Sequence, residues 1–323
     1  MADLTRPDIL CLGEALIDEV RRVGDPVVGS HVGGSLFNVA CGLARLGENT
    51  SIASWWGADE PGRRIAEAAG WSGVQVVPGT DTAARTSVAH ALLDAEGRAV
   101  YEFDLEWAVP SLPNAGRFAH VHTGSIAATL EPGGSQVVEA VKAVRRAGGT
   151  VSYDPNARPA IMGRAGDVVD RVEELVALSD VVKASDEDLA WLFGDEPVDA
   201  IMRRWLALGP RLMVVTRGAE GAYAALADDL DLLAVPPVAV RMGDTVGAGD
   251  SFMAGLLSGL LAGGLLGSVD ARRRLAAADW HRVQPALHRA VLTSAITVSH
   301  TGAYAPTLDE VHALSTSIHQ PVD

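Results

Sequence analysis

Short apolar runs alternate with amphipathic stretches along most of this chain. Runs at residues 9–12, 51–54, 118–122, 150–153, 181–183 and 212–215 have the length of buried strands. Between them, apolar positions recur at helical spacing over 35–46, 63–69, 135–147, 168–177, 186–193 and 198–207. Strand following helix in this way predicts an α/β fold, a mostly parallel sheet covered on both faces. Ligands of such sheets bind beyond the carboxyl ends of the strands. Three polar groups sit there: Asp154-Pro155-Asn156, Lys183-Ala184-Ser185 and Thr216-Arg217-Gly218 each follow an apolar run at once.

Residues 14–31 and 85–107 break the alternation. Both read as strand, and in the second Ser87-Val88-Ala89-His90-Ala91-Leu92-Leu93 and Ala99-Val100-Tyr101-Glu102-Phe103 flank the turn Asp94-Ala95-Glu96-Gly97, a hairpin signal. Taken alone, the signal also fits an edge hairpin of the main sheet.

Composition narrows the function. With 323 residues, 48% of them hydrophobic, the chain can bury a large core as one main domain. Its 41 acidic and 26 basic residues give a formal net charge of −15, which disfavours a nucleic-acid partner. Cys11 and Cys41 are too few for a disulfide framework, lack metal-ligand spacing and read as core thiols. The first residues carry no signal-peptide pattern, and no apolar run reaches membrane length, so a soluble cytoplasmic protein without a membrane partner is expected.

The most specific string is Gly243-Asp244-Thr245-Val246-Gly247-Ala248-Gly249-Asp250-Ser251-Phe252. It joins a glycine-rich turn to an apolar helix over 251–262. The free N–H groups of Ala248, Gly249 and Asp250 at that helix start, with Gly247 before them, suit phosphate oxygens. A carboxylate there repels phosphate. Asp250 therefore reads better as a general base than as a cap.

This string resembles the C-terminal signature of the ribokinase-like (PfkB) carbohydrate kinase family. A second signature precedes it: Gly33-Gly34-Ser35-Leu36-Phe37-Asn38-Val39-Ala40. The similarity continues through Gly57-Ala58-Asp59-Glu60-Pro61-Gly62, Asp154-Pro155-Asn156, Val215-Thr216-Arg217-Gly218-Ala219-Glu220-Gly221 and Gly302-Ala303. The resemblance implies a three-layer ribokinase-like sandwich over residues 1–323, with 14–31 and 85–107 forming a small β lid. It implies transfer of a phosphoryl group from ATP to a sugar or nucleoside hydroxyl. For the sugar it points to Asp18, Gly33, Gly34 and Asn38; Arg158 either reaches the substrate or pairs with a surface acid. His122 and Trp107 are weaker candidates that read better as core or surface.

For the nucleotide, the resemblance points to Lys183, Ser185, Thr216, Gly218 and Gly221. Ser185 and Asp188 stand where many relatives have Asn and Glu near Mg²⁺, leaving Asp188 and Glu187 as the candidate carboxylates. A monovalent cation such as K⁺ is implied near Asp244 and Val246. Asp154-Pro155-Asn156-Ala157-Arg158-Pro159, Ser185 and Tyr101-Glu102-Phe103-Asp104-Leu105 look most like fructokinase-type members, so a primary hydroxyl of D-fructose is the leading acceptor. Ribose, ketodeoxygluconate and nucleosides stay open. A non-catalytic sugar- or nucleotide-binding protein is a rival from another class, which the intact Gly247-Ala248-Gly249-Asp250 argues against. A nicotinamide dehydrogenase would need Gly-x-Gly-x-x-Gly after the first strand, and it is absent. Apolar positions on both faces of the lid, together with the resemblance, lead to the expectation of a homodimer.

Overall fold

The computed structural model describes residues 6–22, 29–93 and 99–318. The expected hairpin turn at 94–97 lies outside these residues. Along the chain the strands are β1 (Asp8–Leu12), β2 (Leu16–Arg22), β3 (Gly29–Gly33), β4 (Asn49–Ala53), β5 (Gln75–Val76), β6 (Val88–Leu93) and β7 (Ala99–Asp104). They continue with β8 (His120–Gly124), β9 (Thr150–Asp154), β10 (Val181–Ser185), β11 (Leu212–Thr216), β12 (Ala222–Leu226) and β13 (Asp229–Val235). The helices are α1 (Ser35–Arg45), α2 (Glu60–Ser72), α3 (Gly133–Arg146), α4 (Pro159–Met162), α5 (Ala165–Leu178), α6 (Asp186–Phe193) and α7 (Val198–Leu208). After the sheet come α8 (Ala248–Ala262), α9 (Val269–Ala276), α10 (Trp280–Val298) and α11 (Leu308–Ile318).

Nine strands form the main sheet in the order β13-β12-β11-β10-β9-β8-β1-β4-β5. All neighbours are parallel except β11–β12 and β12–β13. The apolar runs are continuous because helices cover both faces: in β1, Ile9 and Cys11 enter one core while Leu10 and Leu12 enter the other. Each of the six expected strands overlaps an observed one. The antiparallel pair β12–β13 and the helices α9 to α11 are additions. A second sheet, in the order β3-β2-β6-β7, is built from the two strand-like stretches, so they are not an edge of the main sheet. Cys11 and Cys41 are buried free thiols; burial pushes that of Cys41 up to about 11. Among the described residues no helix is long and apolar enough to cross a membrane.

The helix that opens at the glycine-rich string is apolar on all sides, which suits a helix enclosed by its neighbours. Eleven of its residues are buried, and it packs against α1 and α10. Small residues set how close these helices come. A methyl group at Gly42 would stand 2.7 Å from the Ala254 Cβ, and one at Gly259 only 2.5 Å from the Ala286 Cα. Replacing a helical glycine by alanine gains about 1 kcal/mol of propensity, whereas overpacking against backbone costs about 1–3 kcal/mol. Gly259→Ala should therefore lower the denaturant midpoint; an unchanged or raised midpoint would mean that α8 and α10 are not in this close contact.

Candidate active site

The turn ahead of α8 is held from three sides. Gly243 and Asp244 donate their N–H groups to the Val298 carbonyl at 2.7 and 3.2 Å. Asp244 Oδ1 accepts from Val246 N at 3.0 Å and Oδ2 from Gly302 N at 3.0 Å. These backbone donors hold the Asp244 carboxyl below the usual carboxylate range. Gly247 has φ 74°, and a methyl group there would stand 2.6 Å from the Ala303 Cβ, so only glycine fits.

Two of the three expected N–H groups are left unpaired. Ala248 N–H turns back to the Thr245 carbonyl at 3.2 Å, because the tight turn closes on itself. Gly249 and Asp250 N–H have no acceptor among the described residues. The anion site narrows to these two donors at the positive end of a 15-residue helix.

Asp250 is 8% exposed. Its Oδ1 accepts from Ser35 Oγ at 2.7 Å and its Oδ2 from Asn38 Nδ2 at 2.8 Å, both in the first turns of α1. Asn156, with φ 36°, donates to Ser35 Oγ at 2.7 Å and lies 3.3 Å from Asp250 Oδ1. Burial raises the Asp250 carboxyl above its usual range; the bonds from Asn38 and Ser35 and the charges of Lys183 and Arg158 oppose that shift. The start of α1 is fixed in turn. Gly34 has φ 104°, a methyl group on it would meet the Glu14 carbonyl at 2.4 Å, and Ser35 N donates to Glu14 Oε1 at 3.1 Å. Glu14 is buried, which pushes its carboxyl up to about 7.

Of the expected sugar residues Asn38 bonds this carboxylate directly, and Asp18, Gly33 and Gly34 lie on β2, β3 and the turn that leads into α1. Asp18, an exposed residue on β2, sits opposite His31 of β3. A methyl group at Gly33 would lie 2.1 Å from Asp18 Oδ2, so the bare backbone makes room for that carboxylate. Loss of water on this side raises the Asp18 carboxyl, tempered by Arg158 and His31. Arg158 forms no ion pair among the described residues; its Nη1 donates to Asn156 Oδ1 at 2.7 Å and to the Asn156 and Ala157 carbonyls. The surface-acid alternative is thus not realised.

The nucleotide candidates line the carboxyl ends of neighbouring strands, with Ser185 beside Thr216 in register. Gly218 (φ 51°) and Gly221 (φ 85°) bound the turn that follows β11. Lys183 is not among the open groups: its side chain is 4% exposed and its Nζ lies 2.8 Å from Asp154 Oδ2. Ser185 and Asp188 form a capping box on α6. Asp188 Oδ2 accepts from Ser185 N at 2.8 Å, and its Oδ1 accepts from Ala157 N at 2.7 Å. Glu187 is exposed. Trp107 and His122 belong to the interior. The Trp107 indole donates to the Ala127 carbonyl at 3.0 Å, and His122 Nδ1 lies 2.9 Å from Ser152 Oγ.

Ser35, Asn156, Glu14 and Asp154 were not singled out from the sequence as site residues. Ser35 stands inside the N-terminal signature, and Asp154 and Asn156 inside the first of the three polar groups. The signal that could have found Asp154 and Asn156 is their place at the carboxyl end of a parallel strand, the edge where ligands of such sheets bind.

The chain matches the profile of the pfkB family carbohydrate kinase over residues 6–310. It is 36% identical over 265 residues to a fructokinase of Klebsiella pneumoniae, covering 80% of this chain and 85% of that protein. It is also 36% identical over 283 residues to a fructokinase of Rhizobium leguminosarum bv. trifolii, covering 84% of each. Among solved structures it resembles fructokinase from Xylella fastidiosa with bound ATP (TM-score 0.82, 24% identity, 97% of this chain and 99% of that one). It also resembles a fructokinase double mutant from Vibrio cholerae O395 in fructose-, ADP- and potassium-bound form (TM-score 0.77, 25% identity, 95% and 97% covered). The chain belongs to the pfkB family of carbohydrate kinases, with the ribokinase-like fold of that family.

Proposed function

We propose that this kinase transfers the terminal phosphoryl group of ATP to a primary hydroxyl of a free sugar, D-fructose, in one catalytic unit whose lid is the four-stranded sheet. The observation that carries the reading is the pairing of a buried, oriented carboxylate with two unpaired N–H groups on one helix turn. Asp250 accepts the hydroxyl proton; Ser35, Asn38 and Asn156 aim its oxygens. The Gly249 and Asp250 N–H groups face the charge that spreads over the transferred oxygens. Asp18, Gly33, Gly34 and Asn38 supply hydroxyl partners and bare backbone for the sugar, and Arg158 stands at its rim. Thr216, Gly218 and Gly221 line the nucleotide side. Fructose is favoured because the curated relatives named above are fructokinases.

Mg²⁺ bound with ATP takes its ligands mostly from phosphates and water and few from carboxylates, so it does not need the three-ligand cluster that is absent among the described residues. Asp188, whose oxygens accept the Ala157 and Ser185 N–H groups, and the exposed Glu187 would hold it, in part through water. The carbonyls of Asp244 and Val246 accept no hydrogen bond among the described residues, which suits a monovalent cation there; the Vibrio cholerae structure names potassium.

The lid register refines the dimer expectation. Val20, Ala89 and Ala91 share the face of Asp18, whereas Glu19, Arg21, His90 and Glu102 share the other. His90 Nδ1 lies 3.2 Å from Glu19 Oε2 and Arg21 Nη2 3.0 Å from it, so the outer part of that face is polar, while Ile17 and Val88 on the same face pack into the main core. A partner lid would cover the Asp18 face beyond the sugar. Light scattering at micromolar concentration should give a dimer mass that Ala91→Glu reduces; a wild-type monomer contradicts the proposal.

Asp250→Asn should keep sugar and nucleotide binding while kcat falls roughly 10²–10⁴-fold, the usual worth of a general base. Near-normal turnover would return Asp250 to a capping role. In a panel of sugars and nucleosides read by ADP release, D-fructose should give the highest kcat/KM. A nucleoside or sugar acid far ahead of every hexose would overturn the acceptor while leaving the kinase.

A further inference from the structure

One charged pair in the site has no part in the steps above. Lys183 and Asp154 lie on adjacent strands, with side chains 4% and 2% exposed and Nζ 2.8 Å from Oδ2. Asp154 Oδ1 has no hydrogen-bond partner among the described residues. A buried ion pair with an unsatisfied oxygen contributes little to stability by itself and is often neutral against apolar replacements. Its placement says more. A methyl group at Gly249 would stand 3.2 Å from Lys183 Nζ, so the ammonium sits directly against the first turn of α8, one residue from Asp250. So little of it is open to water that it is poorly placed to grip a nucleotide from solution.

We propose that Lys183 is a positioning residue for the base: its ammonium, clamped by Asp154, is the fixed positive charge that keeps the Asp250 carboxylate in its proton-accepting form. This rests on the reading of Asp250 as general base. The groups that face Asp250 are Ser35 and Asn38 from α1, Asn156 and Arg158 from the loop after β9, Lys183 from β10 and, as a like charge that works against the lysine, Asp154 at the end of β9. Asp154 and Asp188 face Lys183 from its other neighbours. Burial pushes the Asp250 carboxyl upward, and Lys183 and Arg158 are the cations opposing it. Arg158 is exposed and screened by water, so the enclosed lysine is the more effective of the two. Burial would deprotonate an isolated lysine, but Asp154, then Asp188 and Asp250, hold its pKa above the ordinary value. Asp154 is itself pushed up to about 6 by burial, against the pull of Lys183.

A base works only when ionised, so activity falls as pH drops through its pKa. Removing the nearby cation raises that pKa and moves the acid limb of the kcat/KM profile to higher pH. Lys183→Met should shift the limb upward by about 0.5 pH unit or more, while Lys183→Arg keeps it near the wild-type position. Without its partner, Asp154 takes up a proton, so Lys183→Met/Asp154→Asn has the same charge state and should show the same shift; it carries the test if the single variant does not fold. A limb that stays in place in both neutral variants overturns the proposal, whether or not the melting temperature falls. So does a raised KM for ATP with an unmoved limb, which would make Lys183 a nucleotide ligand. Asp250→Asn run alongside separates the two readings: if it is inactive and the limbs do not move, only the role of Lys183 fails. An active Asp250→Asn removes the base and this proposal together.

Discussion

Everything at this site depends on keeping one carboxylate buried, ionisable and aimed. Asp250 stands where a helix start presents free N–H groups, a place that attracts anions, and it sits among neutral donors that hold both its oxygens. Burial alone pushes its carboxyl upward, towards the protonated form that cannot accept a proton. The hydrogen bonds from Ser35 and Asn38 and the charges of Lys183 and Arg158 act in the opposite direction. The state of this carboxylate is therefore a balance between desolvation and a small set of partners drawn from widely separated parts of the chain.

The fold supplies those partners by topology. A parallel sheet delivers the ends of β9 and β10 to one edge, and α1 and α8 cross closely enough, through Gly42 and Ala254, for their first turns to meet. Positive-φ positions at Gly34, Gly247 and Asn156 turn the chain into the site at each of the three entries. Residues 121 and 215 positions from Ser35 thereby share one hydrogen-bond network.

Much of this was legible in the sequence. The six apolar runs named strands of the main sheet because a sheet covered on both faces leaves no polar alternation to confuse the reading, and the two signatures named Asp250 and Asn38. What was not legible has physical causes. α10 carries a clear apolar stripe at Val283, Ala286, Leu287, Ala290 and Val291, but Pro285 interrupts it and reads as a break. The pair β12–β13 follows a turn rather than a helix, so the alternation of strand and helix does not announce it. The resemblance assigns Lys183 and Ser185 to the nucleotide, but sequence shows only that a strand ends at the site and not which partners its side chains meet: Lys183 lies against Asp154, and Ser185 joins the capping box of α6. Asp188 was named from the resemblance as a metal carboxylate; its oxygens also accept two backbone N–H groups and so tie α6 to the loop after β9, a structural part that the sequence does not announce.

The central claim is that Asp250 is the group that receives the sugar proton. A crystal structure with D-fructose and a non-hydrolysable ATP analogue tests it most directly. The account predicts a primary hydroxyl within hydrogen-bond reach of Asp250, about 2.6–3.2 Å, with the terminal phosphate on the Gly249 and Asp250 N–H groups. A hydroxyl turned towards another side chain, with Asp250 still closed on Ser35 and Asn38, would contradict it.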